Sequence, residues 1–101
     1  MRLTAGQREV ILGALLKTFG NGARIWLFGS RVNDEKRGGD IDLLVETDLQ
    51  DTFRIVQAEV AFLATVKREL GDQKIDLLVD SPNSSPNSAV LAEARKTGVP
   101  L

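Results

Sequence analysis

At 101 residues the chain has the size of one ordinary domain, and 43% hydrophobic with 27% charged residues is the balance of a sequence that folds around a core. It contains no cysteine and no histidine, which excludes disulfides, thiolate metal sites and imidazole general bases and leaves carboxylates, hydroxyls, Lys and Arg as reactive groups, with any metal held by oxygen. The net charge of -1 divides unevenly, with seven Lys or Arg against three Asp or Glu in residues 1–39 and six against eleven in residues 40–101; this could place an anion beside a bound cation, but chance variation is the simpler account, and direct binding of duplex nucleic acid is not expected.

The sequence is read as a single domain, residues 1–101. It opens on MRLT, without a long apolar leader, and has no run near the roughly 18 apolar residues of a membrane span, so a cytoplasmic protein with no membrane contact is expected. Thr4 and Gln7 form a capping-box pattern, followed at helical spacing by Val10, Ile11, Leu15, Leu16 and Phe19, which predicts a helix over about Ala5 to Phe19. Gly20, Asn21 and Gly22 reverse the chain, and Arg24 to Phe28 is a bulky apolar run of strand length. RVNDEKRGG, residues 31–39, reads as an exposed connection. In Asp40 to Glu46 (DIDLLVE), alternation sends Ile41, Leu43 and Val45 to one face and Asp40, Asp42 and Leu44 to the other.

A long helix is predicted from about Asp51 to Leu70, with Phe53, Val56, Val60, Leu63 and Leu70 as its main core stripe and Ile55, Phe62 and Val66 widening it. Gly71 ends it. Lys74 to Asp80 (KIDLLVD) repeats the earlier strand with Asp76 in the place of Asp42, and the strand-helix-strand order predicts a parallel crossover. The tandem SPNSSPNS of residues 81–88 is a turn-rich loop, and a last helix is expected from about Pro86 to Thr97, closed by Gly98.

Asp40 and Asp42 are separated by about 7 Å along one face of their strand and can converge on a cation; Asp76 joins them if its strand lies about 4.8 Å away. Three such carboxylates repel one another until divalent ions intervene, and two oxygen-held ions suit in-line displacement at phosphorus. Aspartates in strand alternation are equally at home on a solvated face. The Gly29-Ser30 pair after the first strand can bring backbone and hydroxyl donors to a phosphate, although it is also an ordinary strand-to-turn pair. Lys36 and Arg37 lie in the same connection, where a solvated charge run beside Asp34 and Glu35 is the simpler reading, and Trp26 reads as core.

The stretch LFGSRVNDEKRGGDIDLLVE, Leu27 to Glu46, resembles the signature of the polymerase-beta nucleotidyltransferase superfamily: a Gly-Ser pair, about ten residues, an Asp-x-Asp strand and a third carboxylate on a later strand, here Asp76. Its length and its ending, LAEARKTGVPL, resemble the minimal nucleotidyltransferases, including antitoxins paired with HEPN-domain proteins. The resemblance implies an α/β fold (α+β in some schemes), with a small mixed sheet of three main strands packed by helices. It also implies transfer of a nucleoside monophosphate, AMP from ATP, to a hydroxyl acceptor. On this reading Gly29, Ser30 and Arg31 hold the terminal phosphates. Asp40 and Asp42 bridge two Mg2+ ions, with Mn2+ as a substitute, and Asp76 ligates the acceptor-side metal and helps remove the hydroxyl proton. The connection departs from many relatives at Asn33 and Asp34, where they carry Arg-Gly.

The implied partner, besides the nucleoside triphosphate, is a separately encoded helical HEPN-like protein that carries the acceptor; a homodimer is also allowed. Two alternatives belong to other classes: a small-molecule transferase completed by a helical substrate-binding subunit, and a non-catalytic module that masks its partner. Few residues follow Asp80, so a second protein is expected to position the acceptor, with the Asp51 to Leu70 helix and Val90, Leu91, Val99 and Leu101 as candidate docking residues.

Overall fold

In a computed structural model of the chain, the described residues are 3–28, 40–71, 74–83, 86 and 88–101, without the side chain of Asp40. Thr4 caps helix α1 (Ala5–Thr18) as the capping-box pattern requires: its hydroxyl accepts from the Gln7 N–H at 3.0 Å, and its own N–H donates to Gln7 Oε1 at 2.9 Å. Phe19 is the cap residue at the other end, one position beyond the helix predicted to include it. Strands β1 (Arg24–Phe28) and β2 (Asp40–Glu46) follow. Helix α2 (Thr52–Leu70) starts where the Asp51 carboxylate accepts from the Phe53 N–H at 2.9 Å and stops at Gly71, whose φ of 81° few side chains tolerate. Strand β3 (Lys74–Asp80), helix α3 (Ser88–Thr97) and strand β4 (Val99–Pro100) complete the order.

The four strands form one mixed sheet in the order β3-β2-β1-β4. β2 and β3 are parallel and joined through α2, as the repeated DLLV strands predicted, whereas β1 runs antiparallel to both β2 and β4. β4 corrects the expected three-strand sheet. After α3 the chain turns back along the open edge of β1, pairing Val99 with Leu27, and the Leu101 N–H donates to the Ile25 carbonyl at 3.0 Å. Gly98 makes that return possible, because a Cβ there would stand 2.2 Å from the Ala94 carbonyl oxygen. The last helix begins at Ser88, two residues later than the Pro86 start expected.

One face of the sheet carries Ile25 and Leu27 of β1, Ile41, Leu43 and Val45 of β2, and Ile75 of β3, and it packs on Ile11 and Leu15 of α1, its cap residue Phe19, and Phe62 and Val66 of α2. The α2 stripe is the second correction. Ile55, Ala58, Phe62 and Val66 are buried, while Phe53, Val56 and Val60, expected in the core, are 68%, 50% and 63% exposed. At 100° per residue the two stripes lie on nearly opposite sides of the helix, and the sheet receives the one that includes Phe62. Among the described residues no helix is long and apolar enough to cross a membrane.

Candidate active site

The other sheet face carries the acids. In the register Asp42 stands beside Asp76, Leu44 beside Leu78 and Glu46 beside Asp80, while β1 sets Phe28, Trp26 and Arg24 against Asp42, Leu44 and Glu46 from the other side. Helix α3 lies over part of this face and seals Leu44 and Ala94 from solvent. Arg95, in its last turn, donates to Glu46 Oε2 at 2.5 Å and to Asp80 Oδ2 at 2.9 Å, and its guanidinium sits 5.8 Å from the centre of the Trp26 ring. Trp26 is therefore half-buried beneath a cation on the acidic side of the sheet, away from the main core in which it was expected.

The Arg95 clamp closes the end of β2 and β3 where the strands exit. At their other end Asp42 is half-buried and Asp76 exposed. Neighbouring strands run about 4.8 Å apart, so these two carboxylates are immediate neighbours on one face, as the Asp76-for-Asp42 repeat suggested. Their proximity is a consequence of parallel pairing in unshifted register: a slip of one residue would send Asp76 into the core and bring Ile75 or Leu77 to the acid face. Asp40 opens β2 two residues earlier, opposite Lys74, and its side chain lies outside the described set. Gly29, Ser30, Arg31, Lys36 and Arg37 also lie outside it. What the register does place is the residue before them, Phe28, which ends β1 directly beside Asp42.

Adjacent ionised carboxylates that are incompletely buried are suitable oxygen donors for a hard divalent cation. Among the described residues no group of three or more acidic side chains forms a metal cage, so Asp42 and Asp76 are the part of the expected set that the described side chains bring together.

Arg95 was not singled out by sequence reasoning, yet it fixes how far α3 covers the acid face. The signal lay in the repeat itself. DLLVE and DLLVD place Glu46 and Asp80 at equivalent positions of neighbouring strands, and an acid pair so placed calls for a cation from the element packed above it.

A comparison with curated proteins found no match. The model of the nucleotidyltransferase domain matches residues 8–97, a span that starts within α1, ends with α3 and includes both Asp42 and Asp76. With the acid strands, the crossover and the clamped last helix all inside that match, the chain belongs to the nucleotidyltransferase domain family, of polymerase-beta-like type.

Proposed function

We propose that the chain moves a nucleoside monophosphate, AMP from ATP, to a hydroxyl on a separately encoded helical protein of HEPN type, and so acts as an antitoxin toward that protein. The observation that carries the reading is the Asp42–Asp76 neighbour pair on one face of the sheet, with Phe28, the residue before Gly29, ending β1 beside Asp42. Asp40, Asp42 and Asp76 are the residues that would hold Mg2+, which when bound supplies charge neutralisation at the triphosphate and at the attacking oxygen.

Each protein group has a role in this reading. Gly29, Ser30 and Arg31 follow Phe28 and hold the terminal phosphates of the donor, leaving the α-phosphorus toward Asp42. Asp76, the more exposed of the pair, faces the acceptor and takes the hydroxyl proton. The acceptor oxygen then bonds to the α-phosphorus as the bond to the bridging oxygen breaks and pyrophosphate leaves. Catalysis of this kind is mostly positioning and electrostatics, so an acceptor held by a second protein over the open acid face meets the main requirement.

The test is co-expression with the neighbouring gene product, followed by incubation with ATP and Mg2+ and mass spectrometry of both chains. An AMP adduct on the partner, absent with Asp42→Asn, is expected. Undiminished transfer by Asp42→Asn would overturn the assignment of the site, and robust transfer to a small hydroxyl compound by the isolated chain would replace the protein acceptor with a small one.

A further inference from the structure

We infer that the free edge of β3 and the adjoining flank of α2 form a self-complementary surface on which a second copy of this chain docks, continuing the sheet across a two-fold axis. The inference is independent of the proposed activity. It begins with an edge: β3 has β2 on one side and, among the described residues, no strand on the other. The strand is seven residues long, has neither proline nor glycine, and keeps an unbroken register with β2. Such an edge presents unpaired N–H and C=O groups and is a template for another strand.

The direction of those groups is set by the pairing with β2. The Asp80 carbonyl accepts from the Thr47 N–H on the β2 side at 2.9 Å, and in an extended strand alternate residues send both backbone groups to the same side. Lys74, Asp76, Leu78 and Asp80 therefore bond inward to β2, while Ile75, Leu77 and Val79 offer their N–H and C=O groups outward. An antiparallel copy centred on Leu77 meets this pattern residue for residue, with Leu77 opposite Leu77 of the second copy and Ile75 opposite its Val79. All three outward residues then find outward partners.

The side chains agree with that register. On the core face it sets Ile75 against Val79 and Leu77 against its own counterpart, three apolar side chains that already pack at the margin of the core. On the acid face it sets Lys74 of each copy opposite Asp80 of the other, adding a further cation beside Glu46 and Asp80, two carboxylates that share Arg95. Shifting the copy by two residues in either direction loses both pairings. The charge pattern thus selects one register.

Helix α2 supplies the second layer. Its flank of Arg54, Gln57, Ala61, Thr65 and Arg68 lines the grooves shared with α1. α1 packs over β1 and alongside α2, and the flank of α2 turned away from α1 carries Val56, Val60 and Leu63, set on the β3 side of the sheet in the proposed dimer. Extending the sheet brings the same flank of the second copy alongside in antiparallel orientation, covering Val56 and Val60, which are 50% and 63% exposed in the single chain. Both layers are thereby satisfied by one symmetry operation, as an isologous interface requires. The two acid sites would then share one continuous sheet face, with Asp76 of each copy in the diagonal cross-strand relation, about 7–8 Å apart.

The experiment uses the full chain. Sedimentation at micromolar concentrations should show a dimer, and Leu77→Cys should crosslink under mild oxidation, because hydrogen-bonded antiparallel partners lie about 5.5 Å apart at Cα, within disulfide reach. The chain has no cysteine of its own, so Val99→Cys on the opposite edge is a clean control that should not crosslink. Lys74→Glu, at an exposed position, turns two attractive pairs into repulsive ones and should raise the dimer dissociation constant about fivefold or more. Val60→Glu should weaken the dimer as well, and Leu16→Glu, on α1, should leave it unchanged. A chain that stays monomeric overturns the inference. So does a dimer that Leu77→Cys fails to crosslink and that Lys74→Glu and Val60→Glu leave intact.

Discussion

Two phenylalanines nine residues apart on α2 provide the sharpest check of how that helix sits. Phe62 has no exposed surface and meets Phe19 edge-on, with ring centres 6.2 Å apart and planes at 67°. Replacing it with alanine removes a fully buried ring and leaves a cavity, a change that costs about 3–5 kcal/mol and includes the loss of an aromatic contact worth about 0.5–1.5 kcal/mol. Phe53 is 68% exposed. Its replacement loses only a fraction of a buried side chain, and alanine returns about 0.5 kcal/mol of helix propensity, so the net change should fall within about 0.5 kcal/mol of zero. A domain of this size is stable by only about 5–15 kcal/mol, so Phe62→Ala should lower Tm by about 12–30 °C while Phe53→Ala barely moves it. Urea denaturation followed by circular dichroism, with all variants at one protein concentration and equal m-values, measures the gap directly. A Phe53→Ala cost equal to or larger than that of Phe62→Ala would mean that α2 is turned by half a revolution, and would refute the packing described.

Arg95→Met should cost about 1–2 kcal/mol, from two partly exposed ion pairs and a cation–π contact, and the gap from the parent should narrow in 1 M salt; urea midpoints at low and high salt test this, and a salt-independent gap would exclude the ion pairs as its cause. The same substitution at two glycines should act with opposite sign: Gly13→Ala meets nothing within 4 Å in mid-helix and should stabilise by about 0.5–1 kcal/mol, whereas Gly98→Ala drives a Cβ against the Ala94 carbonyl and should destabilise by about 1–3 kcal/mol. Thermal melts of both variants decide it. Asp42→Asn and Asp76→Asn should each abolish nucleotidyl transfer while leaving Tm equal or higher, because each relieves repulsion between neighbouring carboxylates; activity within a few-fold of the parent would remove that residue from the site. ATP should raise the parent's Tm clearly with Mg2+ and little with a chelator, and equal shifts would contradict a metal-dependent nucleotide site.

Local chemistry made much of this protein legible in advance. Thr4 and Gln7 satisfy each other's backbone groups within one turn, Asp51 and Gly71 mark the limits of α2, and the alternation in DIDLLVE and KIDLLVD separates core from acid face without reference to the rest of the chain. The placement of Asp42 beside Asp76 followed because two nearly identical strands joined by a helix pair most simply in parallel and in step. Where α2 was concerned, periodicity was insufficient. The helix has two apolar stripes, and the choice between them was made by the space beneath it, where Phe62 and Val66 meet Phe19 and the sheet. β4 had no periodic signal to read, being two residues that become a strand only because β1 has an edge to offer and Gly98 lets the chain reach it. The Arg95 clamp joins α3 to residues 49 and 15 positions earlier in the chain. Interactions within a turn or a strand are decided by neighbours in sequence; which stripe is buried, which edge is paired and which cation answers Glu46 and Asp80 are decided by segments that meet only when the chain has folded.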